Sequence, residues 1–270
     1  MPLQILMAGL PGRMAQEVVL AALEEAPGDF NFAPSALAAT TEAEPYTVGP
    51  LSFRLVGPAD RRKIATKGLL AIDFTQPDAA LPNLEWYIAH DIPVVIGTTG
   101  FDRAAAEKII RKGSVPVVMA PNMAVPIVLI QAALAHLAEN YPEAMSGYKI
   151  AIRESHQANK KDTSGTARAL AKDFATLGLP AGVEMIEMVR DPDRQRQELH
   201  VPDEFLGGHA YHFYNVVSPE GSVHLGLSHC IHGRRVYASG ALFAARFLAR
   251  RAAEQVGPLI FGMDDVLRGG

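Results

Sequence analysis

The 270-residue sequence predicts an α/β protein: a parallel sheet with helices on its faces, into which a second α+β domain with an open mixed sheet is inserted. Three observations carry this reading. Short apolar runs alternate with helical patterns from Leu3 to Met119. That alternation stops near Pro126, and two long runs then flank the turn Ser218-Pro-Glu-Gly221, which predicts an antiparallel hairpin. A helical pattern returns at Ala241, so residues 1–124 and 241–270 are expected to form the first domain and 125–240 the second.

Each element has its own signal. Leu3 to Ala8 is a short apolar run that ends in glycine, a first strand. From Met14 to Ala26 the apolar residues Met14, Val18, Val19, Ala22 and Leu23 fall at helical spacing. Strand-like runs follow at 30–33, 68–74, 93–96 and 116–119, with helical patterns at 79–90 and 102–112. Right-handed crossovers would bring the segments DFTQP (73–77), GTTGFD (97–102) and APNM (120–123) to one carboxyl edge, where such sheets bind ligands. Beyond Pro126 come a helix over 128–139, a strand over 148–153, the hairpin runs 208–217 and 222–231, and a helix over 241–255.

Composition narrows the function. Hydrophobic residues make up 49% and charged residues 20%, an ordinary globular balance, and the net charge of -4 without a basic stripe argues against a nucleic-acid binder. One cysteine, Cys230, excludes an internal disulfide and fits a reducing, cytoplasmic location. No apolar run approaches the ~20 residues of a membrane span, and the first apolar segment lacks a basic leader.

Gly9-Leu10-Pro11-Gly12-Arg13-Met14-Ala15 lies between a strand and a helix, as a phosphate-binding turn requires. Glycine lets backbone approach a pyrophosphate, and the helix start offers unpaired N–H donors. The spacing is GxxGxxA rather than GxGxxG, and Pro11 contributes no N–H. A Rossmann-type dinucleotide site is the functional reading; a glycine turn without a ligand is the plain one. NAD enzymes place an acid after the second strand, whereas here small residues and Thr40-Thr41 precede Glu42, and Arg13 sits in the turn. That tips the balance towards NADPH, with Glu42 still available to NADH.

The stretch ESHQANKKDTSGTARAL (154–170) concentrates the remaining chemistry. Ser164 is an N-cap candidate, with Ala167, Leu170, Ala171, Phe174 and Leu177 following at helical spacing. Gly165 and Thr166 then occupy a first turn whose N–H groups and dipole suit a carboxylate. On the loop before it, Lys160 can neutralise a second carboxylate, and His156 is the type of group that delivers a proton near neutral pH. A small acid with several carboxylates is the implied guest; a solvated connector ahead of a capped helix would have the same composition. The hairpin histidines 209, 212, 224, 229 and 232 have no acid or cysteine at ligand spacing beside them, so no metal is expected and a solvated or subunit-facing sheet is. Arg234 and Arg235 either aid a carboxylate or cap a strand.

Together, GLPGRM (9–14), DFTQP, GTTGFD, APNM, ESHQANKKDTSGTA, HGRR…ASGAL (232–242) and MDDVL (263–267) resemble the 4-hydroxy-tetrahydrodipicolinate reductase family, in its plant-type branch, over nearly the whole chain. The resemblance implies NAD(P)H-dependent reduction of a cyclic imino dicarboxylate in the diaminopimelate route to lysine. It implies His156 as proton donor and Lys160 as its partner and substrate cation. Gly165 and Thr166 match the pair that binds a substrate carboxylate, and Gln157 stands where most bacterial members have a second substrate-contacting histidine. Gly9, Leu10, Pro11, Gly12, Arg13 and Met14 match the cofactor turn. Gly97, Thr98 and Thr99 match the loop near the nicotinamide, and Ala120, Pro121, Asn122 and Met123 a further cofactor segment. A homotetramer through the second domain's sheet is also implied. The rivals are another two-domain imine or amino-acid dehydrogenase, and an NADPH-binding sensor without chemistry.

Overall fold

Leu3–Ala8 (β1) is buried from Ile5 onward on both faces, as a central strand of a parallel sheet must be. The structure, a computed structural model, describes residues 1–254 and 259–269. It divides into two compact units, Met1–Val125 with Arg235–Gly270, and Pro126–Arg234.

In the first unit β1 leads through a glycine turn into α1 (Arg13–Glu25). The second strand is two short pieces, β2 (Phe30–Phe32) and β3 (Ser35–Leu37), both parallel to β1. Ala33-Pro34 separates them, since proline has no N–H for a ladder. A hairpin follows that the sequence reading did not include, β4 (Tyr46–Val48) and β5 (Leu51–Val56), turning at Gly49-Pro50 where Gly49 has φ +56°. Then come β6 (Leu69–Asp73), α2 (Pro77–Ala89), β7 (Val94–Ile96), α3 (Arg103–Ile110) and β8 (Val117–Met119). Pro77 takes the first turn of α2, and the Asp102 side chain caps α3 by accepting from Ala105 N at 3.0 Å.

In the second unit α4 (Val125–Asn140) precedes β9 (Lys149–His156), α5 (Gly165–Thr176), β10 (Ile186–Val189), α6 (Pro192–Leu199), β11 (His209–Val217) and β12 (His224–His232). The sheet order is β10-β9-β11-β12, with β10 parallel to β9 and the other pairs antiparallel. This is the open mixed sheet expected, although β10 and α6 were not anticipated. α5 lays Leu170, Ala171 and Phe174 on Ile150, Ile152, Tyr214 and Val216 of that sheet.

The chain re-enters the first unit with α7 (Arg235–Glu254), then β13 (Ile260–Phe261) and α8 (Met263–Arg268). α7 starts before the expected Ala241, and Gln255, the expected last residue of that helix, lies outside the described residues. Among the described residues the sheet runs β13-β8-β7-β6-β1-β3-β5-β4, with β2 also on β1. Only β4 is antiparallel to its neighbour. Leu6, Ala8, Leu84, Tyr87, Val94, Ile96, Ile110 and Val117 form the core of one face. Each fully buried large side chain there contributes roughly 1.5–3 kcal/mol.

Candidate active site

Because β1, β6, β7 and β8 are parallel neighbours, the segments after them share one carboxyl edge. Strand order reverses direction at β1, which pairs β6 on one side and β2 and β3 on the other, the place where such sheets take ligands. Gly9, at φ +107°, has no room for a side chain: a Cβ would strike the Phe74 carbonyl. The Gly12 N–H closes the turn on Gly9 O at 2.7 Å. The first helical bond of α1 is Gln16 N–H to Gly12 O at 3.1 Å, so the N–H groups of Arg13, Met14 and Ala15 have no carbonyl partner among the described residues. A glycine cradle leading to free helix N–H groups is what a pyrophosphate requires. Leu10 is buried and offers its backbone alone, while Pro11, Gly12 and Arg13 are exposed and Met14 is partly so.

Asp73 organises the neighbouring strand ends. It is 1% exposed, and its Oδ1 accepts from Thr75 N–H at 2.9 Å, Thr75 Oγ1 at 2.6 Å and Thr98 Oγ1 at 3.2 Å. Its Oδ2 accepts from Asn83 Nδ2 and Tyr87 OH, both at 2.9 Å. Burial pushes the Tyr87 hydroxyl well above its ordinary range, so it stays a donor. Thr98 is therefore turned inward, and Gly97 makes room for the Phe74 ring, with which a Cβ would collide. Thr99 is exposed at the same edge. Asn122 Oδ1 accepts from Ala124 N–H at 2.9 Å, which sets the bend of 120–123; Ala120 and Met123 are buried and Pro121 is exposed. Gly240 of α7 fits against the Met123 carbonyl, where a side chain would clash. Beyond β3, a cavity of about 580 Å³ is lined by Thr41, Glu42, Ala43, Pro45 and Arg54. An acid and a cation thus both line the region beyond the second strand.

In the second unit the strand extends further than expected. His156 is the last residue of β9, paired opposite Ala210, not a loop residue. Two residues earlier, Glu154 pairs opposite His212 of β11, which in turn pairs opposite His229 of β12. Alternation puts Glu154 and His156 on one face, with His212 as cross-strand and diagonal neighbour. The His156 Nε2 lies 3.1 Å from the His212 Nε2 and 3.6 Å from the Glu154 Oε2. The expectation that no acid stands beside the hairpin histidines is thus corrected: Glu154 reaches His212 across the ladder at 3.7 Å. Glu154, His156 and His212 place donor atoms within 4.8 Å of one another, a set able to hold a metal ion, and the hydrogen-bond distance between the imidazoles gives them a role without one.

The charge balance here is set by burial. Desolvation raises the Glu154 carboxyl, but its contacts with His156 and Arg190 outweigh this and bring it to about 2, so it is ionised. Arg190 Nη2 donates to Glu154 Oε1 at 2.6 Å, and Ser164 N–H donates to both carboxylate oxygens at 3.1 and 3.2 Å. Ser164 does occupy the N-cap position of α5, but its side chain makes no capping bond: the carboxylate of Glu154 holds the helix entrance instead. Burial, then repulsion from His229 and His156, lowers His212 to about 2, so it is neutral.

Arg190 also fixes the loop between His156 and Ser164. Its Nε donates to Lys160 O at 2.8 Å and its Nη2 to Asp162 O at 3.4 Å. Lys160 N–H donates to Gln157 O at 3.0 Å, and the Lys160 ammonium pairs with the exposed Asp162 at 2.9 Å. The first turn of α5 carries Gly165, with open space where a Cβ would point, and Thr166. The predicted His156, Gln157, Lys160, Gly165 and Thr166 thus lie on one strand end, loop and helix start. Arg235 is not part of this group: in the first unit it binds Glu17 at 2.6 Å and Glu24 at 2.7 Å on α1. Sequence reading missed Arg190 and the roles of Glu154 and His212; the two-residue alternation of a strand, which places His212 on one face of β11, was the one available signal.

A dinucleotide-type strand edge in one unit, and an acid–base cluster beside a cation and a helix start in the other, define the class: a nucleotide-dependent oxidoreductase. Residues 3–123 match the family pattern of the dihydrodipicolinate reductase N-terminus, and residues 127–267 that of its C-terminus. The chain therefore belongs to the dihydrodipicolinate reductase family. It is 34% identical over 275 residues to 4-hydroxy-tetrahydrodipicolinate reductase 2, chloroplastic, of Arabidopsis thaliana, covering 99% of this chain and 78% of that one. It is 32% identical to 4-hydroxy-tetrahydrodipicolinate reductase of Herminiimonas arsenicoxydans, covering 98% of each. In fold it is similar to the dipicolinate-bound dihydrodipicolinate reductase from Paenisporosarcina sp. TG-14, with TM-score 0.67, 18% identity, and coverage of 97% and 98%.

Proposed function

We propose that this chain reduces 4-hydroxy-tetrahydrodipicolinate to tetrahydrodipicolinate with NAD(P)H, in the diaminopimelate route to lysine. The observation that carries the reading is that the two family patterns match residues 3–123 and 127–267 while His156, Lys160 and the start of α5 occupy one short segment. When bound at the strand edge, the nicotinamide supplies a hydride to the ring carbon that loses its hydroxyl as water. His156 supplies the accompanying proton, Lys160 leaves Asp162 to meet a substrate carboxylate, and the start of α5 receives the other carboxylate. Gly9 to Met14 would cradle the pyrophosphate, and the segments 97–99 and 120–123 would hold the nicotinamide end.

NADPH is the preferred cofactor in this reading. Arg54 lines the cavity beyond the second strand and makes no ion pair within 4.0 Å among the described residues, while the Glu42 carboxylate already accepts from Thr40 Oγ1 at 2.6 Å. The protein acts as a homotetramer through the second unit's sheet, where β12 is the open edge and Val223 and Leu225 are exposed. A cytoplasmic location suits the free thiol of Cys230, and no helix among the described residues is long and apolar enough to cross a membrane. The test is a coupled assay with freshly generated substrate, run in parallel with NADPH, NADH and simple imines, with light scattering for the assembly. Turnover of the pathway substrate, faster with NADPH and absent with simple imines, is expected; preference for a simple imine would overturn the assignment.

A further inference from the structure

Among the groups around His156, two are too deeply buried to meet a substrate yet point at its ring. Glu154 is 0% and His212 1% exposed, whereas the His156 side chain remains 12% exposed. Both contacts run to one atom of His156. Its Nε2 faces the His212 Nε2 at 3.1 Å and the Glu154 Oε2 at 3.6 Å, while its Nδ1 carries no hydrogen bond among the described residues. We infer that Glu154 and His212 are positioning residues that hold His156 by Nε2–H, so that the proton given to the substrate leaves from Nδ1. This rests on the reading of His156 as the acid.

The proton positions follow from counting donors. His212 is neutral, so one of its nitrogens carries hydrogen and the other is bare. Its Nδ1 lies 3.2 Å from Tyr214 OH. Were His212 to donate from Nε2, His156 would turn a bare nitrogen towards an ionised carboxylate, lone pair against lone pair. Donation from His156 Nε2–H removes that conflict: His212 accepts at Nε2, keeps hydrogen on Nδ1 for the Tyr214 oxygen, and Glu154 faces the positive edge of the imidazole. His156 keeps Nε2–H in both its charged and its neutral form. The cation gives up Nδ1–H as hydride adds to the substrate and the hydroxyl departs as water, and it becomes the neutral Nε2–H tautomer, which regains a proton from solvent on Nδ1.

The arrangement is braced from every side. Arg190 and the Ser164 N–H hold the carboxylate. His229 of β12 packs tilted against His212, with ring centres 4.5 Å apart and 40° between the planes. His209 of β11 is tied away, its Nε2 to Ser155 Oγ at 2.7 Å and its Nδ1 to Phe205 O at 3.0 Å. The charged and titratable groups facing His156 are therefore Glu154 on its own strand, His209 and His212 on β11, His229 on β12 and Arg190 after β10.

Nitrogen NMR of the ¹⁵N-histidine-labelled full chain, with His156→Ala to assign the signal, reads the tautomer directly. Neutral His156 is expected as Nε2–H; an Nδ1–H tautomer would overturn the inference. Kinetics supply a second readout that a merely structural role would not move. In Glu154→Gln, kcat should fall about tenfold while pyridine-2,6-dicarboxylate affinity changes less than threefold, because the ring loses one of its two supports. In His212→Gln, kcat should fall about tenfold, with pyridine-2,6-dicarboxylate affinity changed less than threefold, the mark of lost orientation rather than lost binding. Wild-type kcat in both variants would overturn it. If Glu154→Gln does not fold, the NMR result and His212→Gln decide. Wild-type turnover in His156→Ala would instead remove the acid assignment itself, whatever the tautomer.

Discussion

Acidification should destabilise this protein through His212 at a pH above the ordinary carboxylate range. The imidazole is 1% exposed, and burial followed by the nearby His229 and His156 lowers it from 6.5 to about 2. The sign follows from proton uptake. Below pH 6.5 the unfolded chain protonates this histidine while the folded chain does not, so the stabilisation is full above 6.5 and is lost as pH falls towards about 2. The slope is about 1.4 kcal/mol per pH unit for one proton, so moving from pH 6.5 to 5 removes about 2 kcal/mol. His229, lowered to about 4 chiefly by burial, acts in the same direction. Glu154, held at about 2 against an ordinary 4.5, contributes stability that is lost only below pH 4.5, outside this window. The assay is urea unfolding of wild type and His212→Gln at several pH values between 7 and 5. Wild type should lose about 2 kcal/mol more than the variant over that range. Parallel dependences would refute the claim that His212 is held neutral in the fold.

Other variants test the first unit. Asp73→Ala strips the acceptor from Thr75, Asn83, Tyr87 and Thr98, and at about 1–3 kcal/mol per stranded group should cost 3 kcal/mol or more in urea unfolding. Gly9→Ala forces a side chain into φ +107° against the Phe74 carbonyl, and calorimetric titration should show cofactor binding weakened at least tenfold, about 1.4 kcal/mol. Arg54→Ala should reduce kcat/KM for NADPH about tenfold and leave NADH unchanged, as loss of one cation from a 2′-phosphate requires; equal losses would remove Arg54 from cofactor choice.

Much of the first unit was legible because its signals are local. Short continuous apolar runs mark β1, β6 and β7, 3.6-residue spacing marks α1, and the polar segments that end the strands mark the carboxyl edge. The same holds for the segment from Glu154 to Leu170, where the charged residues and helix start are contiguous. What stayed hidden depends on pairing across the sheet. Glu154 meets His212 through the β9–β11 register, and Arg190 reaches Glu154 from beyond β10, a strand with no pattern of its own. Ser164 shows the limit of a local rule. Its residue type and position suit a cap, yet a buried carboxylate already occupies the backbone N–H at that entrance, and the hydroxyl makes no capping bond. Likewise, nothing adjacent to Thr98 in the sequence reveals that Asp73 turns its hydroxyl inward.

The central claim is that His156 is the acid of a reductase acting on a cyclic imino dicarboxylate. Following loss of nicotinamide absorbance with freshly generated 4-hydroxy-tetrahydrodipicolinate tests it most directly, in wild type and His156→Ala. The wild type should oxidise NADPH only when substrate is present, and the variant should be about 10²-fold slower, as for loss of a general acid, while still binding pyridine-2,6-dicarboxylate. Equal rates in the two proteins, or no oxidation by the wild type, would contradict it.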